Sequence, residues 1–98
     1  MVNDQNAEKL VTLTLDAAGL PVPDIDPVPI RRGKQRVRWC AEFEFTIEIE
    51  GYTDLRYAQG GRGCAHRADT GVFEKEGQYK YTIRANGQEN DPVLDVRP

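Results

Sequence analysis

Cys64-Ala65-His66 places a thiol and an imidazole two residues apart, the pairing in this chain best suited to ligand or nucleophile chemistry. Cys40 is the other sulfur donor, and His66 is the lone histidine. Structural zinc takes four ligands, usually spaced as two pairs, so this set is short of one. As a thiol nucleophile with its base, Cys64 and His66 have no recognisable third group to orient them. A metal-binding or redox protein using Cys64 and His66 is therefore the alternative reading. In a reducing compartment the two cysteines are expected to be free thiols. Closing the ring between them would contribute about 3–4 kcal/mol on the chain-entropy account.

A second constellation surrounds the glycine run Gly60-Gly61-Arg62-Gly63. Arg62 lies within it, and Tyr52, Arg56, Tyr57 and Arg67 flank it, with Asp54. Tyrosine and arginine carry much of the binding energy at protein interfaces, and loops on a rigid scaffold are common places for recognition. These five residues are the candidate binding set. The glycines lack the spacing of a phosphate-binding P-loop and read as a flexible connection.

The basic run Arg31, Arg32, Lys34, Arg36 and Arg38 precedes an acidic run, Glu42, Glu44, Glu48 and Glu50. Phosphate contact is one reading of the cations. Neutralisation by cross-strand pairing with the acidic run is the simpler one. Runs on different sheets would instead give the domain a basic face and an acidic face.

These side chains need strands to hold them. Val11, Leu13 and Leu15 alternate with Thr12 and Thr14, the period of a half-buried strand. Pro21, Pro23, Pro27 and Pro29 exclude helix and central strand, leaving an extended edge or connector, with Val28 and Ile30 inward at its end. From Arg36 to Glu50 the alternation never slips: Val37, Trp39, Ala41, Phe43, Phe45, Ile47 and Ile49 share one face. A straight strand of that length would run about 45–50 Å, too long for a domain with a radius of gyration of about 13 Å. The run must bend, and a passage from one sheet to the other near Cys40 fits best. Residues 51–71 are the least regular part, with a helical turn expected around 54–59. Gln78–Ala85 and Val93–Arg97 read as strands, separated by turns at Asn86-Gly87 and Asn90-Asp91-Pro92.

With 98 residues the chain makes one domain, residues 1–98, of which 1–8 are expected to be flexible. Its 16 acidic and 13 basic residues give a net charge of −3, which disfavours a general nucleic-acid binder. No apolar run approaches the ~18 residues of a membrane span, so membrane insertion is not expected. The N-terminus carries no secretory signal, which places the chain as written in the cytoplasm, or in the periplasm or outside if a signal was removed. The pattern predicts an all-β fold: an antiparallel Greek-key β-sandwich of about seven strands.

Three stretches resemble the cupredoxin family of small β-sandwiches. Pro29 to Trp39 is similar to its strand, Arg/Lys-Gly turn and strand ending Val-x-Trp. Phe73 to Tyr81 is similar to its Phe and Gly-x-Tyr-x-Tyr lead-in to the penultimate strand. Asp91-Pro92-Val93-Leu94-Asp95-Val96 resembles the closing strand of copper-free relatives. The resemblance implies a cupredoxin-like sandwich. It also implies that the copper thiolate would stand near Ile83, and a ligand histidine near Asn86. A blue-copper centre takes one thiolate and two imidazoles, which one histidine cannot supply. The family's electron transfer is not carried over, and no cofactor is expected.

No nucleophile set or acid/base pair can be assembled, so no enzyme is expected. The sequence thus points to a non-catalytic, metal-free, monomeric domain that binds another protein or a ligand through Tyr52, Arg56, Tyr57, Arg62 and Arg67.

Overall fold

Alternating apolar residues commit most of this chain to strands. A computed structural model describes residues 8–61 and 63–98 and contains no helix among them. Among the described residues ten strands form two sheets. The first sheet has the order β2-β1-β4-β7-β6, with β1 at Glu8–Leu15, β2 at Pro21–Pro23, β4 at Arg36–Ala41, β6 at Leu55–Gln59 and β7 at His66–Thr70. The second has the order β3-β10-β8-β5, with β3 at Val28–Arg31, β5 at Thr46–Ile49, β8 at Gly77–Ala85 and β10 at Val93–Arg97. A short β9, Gln88–Asn90, pairs with β8. The radius of gyration is 13.1 Å. No helix among the described residues is long and apolar enough to cross a membrane.

The all-β class and the sandwich follow from the sequence pattern, but the purely antiparallel arrangement does not hold. Both sheets are mixed: β1 runs parallel to β4, and β3 runs parallel to β10. A period-two pattern specifies which face a residue takes and is silent on strand direction. The strand count exceeds the expected seven because β2 and β9 have three residues each, and because β6 and β7 were hidden. The proline-rich stretch supplies β2 and β3, each at the end of its sheet's strand order, where a missing amide donor costs least.

The long alternating run does break, later than expected. β4 ends at Ala41, and the chain crosses between the sheets over residues 42–45 before β5 begins. Phe45 is buried on the far side of the crossing, and Phe43 packs half-buried against the core.

Residues 51–71 are not an irregular loop. They hold β6 and β7 as an antiparallel hairpin in which Leu55 opposes Thr70 and Gln59 opposes His66. The helical turn expected around 54–59 is β6. Small and polar residues masked the alternation: the inward row of β7 is His66, Ala68 and Thr70, and that of β6 is Leu55, Tyr57 and Gln59. Of the expected flexible residues 1–8, 1–7 lie outside the described residues, and Glu8 opens β1, 3.3 Å from Arg38.

The core lies between the sheets. Val11, Leu13, Val37, Trp39 and Ala68 face it from the first sheet; Val28, Ile30, Ile47, Ile49, Tyr81, Ile83, Leu94 and Val96 face it from the second. Trp39 tilts against Tyr81 with ring centroids 5.2 Å apart. Tyr52 stacks on Phe73 at 4.5 Å, and Phe73 meets Tyr79 at 5.2 Å.

The cysteines correct another expectation. Cys40 and Cys64 are joined as a disulfide with Cα atoms 5.0 Å apart, and no free cysteine remains. Cys40 does take the outward row of β4, but it is buried there because Cys64 closes over it. Two residues 24 apart in sequence are brought together because β7 pairs with β4. That pairing is not visible in their spacing.

Candidate functional site

The last strands of the two sheets, β6 and β5, meet at one side of the sandwich and frame a cleft of about 760 Å³. Tyr57, Gln59 and His66 line it from the first sheet, and Phe45, Thr46 and Arg84 from the second. Glu44, Ala58 and Arg67 also line it.

Edge strands expose unpaired backbone groups, and the two edges here are treated differently. On β5, the Tyr57 hydroxyl accepts a hydrogen bond from the Ile47 N–H at 2.9 Å and donates one to the Ile47 carbonyl at 3.0 Å. Two residues on, the Tyr52 N–H donates to the Ile49 carbonyl at 3.1 Å. β5 is thus closed against a further strand by two tyrosines. Among the described residues β6 pairs with β7 and with no other strand, which leaves its second side open along the cleft.

Tyr57 is 51% exposed, so its ring is available to a ligand while its hydroxyl is engaged. Tyr57→Phe keeps the ring and removes both hydrogen bonds. A loss of about 1–2 kcal/mol is expected, with faster amide exchange at Ile47, read from a urea titration and a hydrogen-exchange spectrum. An unchanged Ile47 rate would show that the hydroxyl does not hold that edge.

Charges around the cleft are organised into pairs. Arg84 meets Glu48 at 2.7 Å and Glu89 at 2.6 Å. Glu89, then Glu48, holds its guanidinium above the ordinary arginine range. Asp69 bridges two arginines, Arg38 at 2.7 Å and Arg67 at 3.3 Å. Its hydrogen bond raises the Arg38 pKa, and burial opposes it in part. These contacts fix the guanidinium positions more than they stabilise the fold, because exposed pairs are worth about 0–1 kcal/mol.

The residues singled out from the sequence are dispersed. Tyr57, Arg67 and His66 come together at the cleft. Tyr52 turns inward: it stacks on Phe73, and its hydroxyl accepts from the Gly71 N–H at 2.7 Å. Burial pushes that hydroxyl's pKa up, and the Gly71 bond opposes the shift. Arg56 is on the outer face, 3.9 Å from Asp54. Arg62 lies outside the described residues.

The glycine run serves the β6–β7 turn. The Gly60 N–H donates to the Ala65 carbonyl at 3.1 Å, and a side chain at Gly60 would strike the Cys64 carbonyl. In the disulfide, Cys64 offers no thiolate to a metal or substrate. No group of three metal-ligating side chains is found among the described residues.

Sequence reasoning missed Glu44, Phe45, Thr46, Gln59 and Arg84 as cleft residues. Parity placed Phe45 in the core and Thr46 outward, yet nothing in the chain marks which two edges will meet. No family model, no curated protein and no solved structure matches this chain.

Proposed function

We propose that this domain is a non-catalytic, metal-free, cupredoxin-like Greek-key sandwich that binds an extended segment of another protein along β6, in the cleft beside β5. The observation that carries the reading is the asymmetry of the two edges. β5 is closed by Tyr57 and Tyr52, whereas β6 keeps one side open next to a cleft of about 760 Å³. Strand addition draws affinity from such a free edge and specificity from neighbouring side chains. The half-exposed Tyr57 ring and the guanidinium of Arg67 are suited to that second task.

The cupredoxin-like part rests on the three stretches of resemblance. Pro29 to Trp39 spans β3, its turn and the start of β4; Phe73 to Tyr81 leads into β8; Asp91 to Val96 leads into and covers most of β10. Ile83, at the position of a copper thiolate, is fully buried in the core, and Asn86 takes a positive φ in the β8–β9 turn. Both residues have packing or turn roles there. The bridge between Cys40 and Cys64 favours an oxidising compartment, and hence an exported domain.

The test is selection of short random peptides on the full chain, followed by amide-shift titration of the peptides that bind. Shifts should cluster on β6, Tyr57 and His66, and Arg67→Ala should weaken binding severalfold. Selected peptides that shift only residues away from the cleft, or a selection that enriches none, would overturn the reading.

A further inference from the structure

At the end of the sandwich near the β3–β4 turn, three cations from three strands converge on a cleft of about 350 Å³. Lys9 of β1, Arg31 of β3 and Arg97 of β10 line it, with Gln35. Arg31 and Arg97 are register partners in the parallel pair of β3 and β10. Like charges directly opposite each other are destabilising, so this pair is a cost that the fold itself does not need. Lys9 stands in the row of Val11 and Leu13, whose side chains are buried between the sheets, and is itself half-buried.

The acidic run does not neutralise these cations. Its Glu48 pairs with Arg84 of β8. Within the basic run, Arg38 meets Glu8 and Asp69, and Arg32 meets Glu76 at 3.9 Å. Arg97 meets Asp95 at 2.9 Å. Among the described residues no carboxylate lies within ion-pair distance of Lys9 or Arg31. Three cations line the cleft, and Asp95 is the one side-chain carboxylate within ion-pair distance of any of them among the described residues.

The backbone under these side chains is held firmly. The Arg32 N–H donates to the Arg97 carbonyl at 2.7 Å, and the Arg31 N–H donates to Gln35 Oε1 at 2.8 Å. Two guanidinium forks and an ammonium at one cleft suit a tetrahedral oxyanion.

We propose that this cleft binds a dianionic phosphate group, as inorganic phosphate or as a phosphate monoester, through Lys9, Arg31 and Arg97. A phosphate monoester carries about −1.5 to −2 at neutral pH, opposite in sign to the three cations of the lining. The site is separate from the β5–β6 cleft and stands whether or not that cleft binds a peptide.

The experiment titrates the full chain with inorganic phosphate at constant ionic strength, balanced with chloride, and follows amide shifts. A second arm measures binding to phosphatidylcholine vesicles with and without phosphatidic acid, whose headgroup is a phosphate monoester. Saturable shifts at Lys9, Arg31, Gln35 and Arg97 are expected. Arg31→Ala and Arg97→Ala should each weaken binding about tenfold, as for loss of a charge-assisted hydrogen bond. Both variants sit at exposed strand ends, and unchanged Trp39 and Tyr81 signals would establish that they fold. Binding in the first arm alone identifies a free phosphate, and binding that requires phosphatidic acid identifies a lipid headgroup. Shifts that chloride reproduces, binding indifferent to both substitutions, or no response in either arm would overturn the site.

Discussion

Replacing Trp39 by alanine is expected to lower the stability of the domain by about 3–5 kcal/mol, the cost of deleting a large aromatic from a packed core. Trp39 is 0% exposed, at the centre of β4, and its ring meets Tyr81 of the opposite sheet at 5.2 Å. The indole therefore joins the two layers. A domain of this size has a total stability of about 5–15 kcal/mol, so the variant will be partly unfolded or close to it. Trp39→Phe, which retains a ring against Tyr81, should cost less. Urea midpoints with an unchanged slope decide the matter. A loss below about 1 kcal/mol for the alanine variant would show that the two sheets do not pack through this residue. Tyr81 belongs to the same contact: burial pushes its hydroxyl well above the ordinary tyrosine range, and the Trp39 indole opposes that only in part.

Removing the Cys40–Cys64 bridge is expected to cost about 3–4 kcal/mol, from the entropy regained by a loop of this length in the unfolded chain. The bridge ties the turn between β6 and β7 to β4. Its loss should therefore be felt first as faster amide exchange in β6 and β7, before global unfolding. The comparison is the oxidised protein against Cys40→Ser/Cys64→Ala, in denaturant titration and in hydrogen exchange. Thiol counting on protein purified without reductant should find no free thiol. Two free thiols per chain, or equal stability of the bridged and unbridged forms, would show that the bridge is not part of the native fold. Because β6 bounds the proposed peptide cleft, the unbridged form should also bind selected peptides less well.

Much of the fold was legible from residue types alone. The alternation in Val11-Thr12-Leu13-Thr14 and in Val37 through Ile49 has a period that strands alone can satisfy, so β1, β4 and β5 and their inward faces followed from it. The prolines at 21, 23, 27 and 29 lack amide donors, and both strands they form, β2 and β3, lie at sheet edges. Asn86-Gly87 marked a turn because both residues tolerate the positive φ it requires, 55° and 74°. These are local properties: each is decided by a few neighbouring residues and their backbone angles.

What the chain does not display locally was decided by packing over long sequence separations. The alternation of β6 and β7 was concealed by Gln59, Ala68 and Thr70 at inward positions; β7 forms a strand here because β4 and β6 both pair with it. The parallel pairings of β1 with β4 and β3 with β10 depend on the path of the chain between strands, which the pattern within a strand does not encode. The same holds for the disulfide and for both clefts. Cys40 reaches Cys64, Tyr57 reaches Ile47, and Arg31 reaches Arg97 only once the sheets are assembled. Residue identity settled which groups were capable of chemistry, and the tertiary structure settled which of them stand close enough to perform it, because proximity here comes from strand order and not from sequence neighbours.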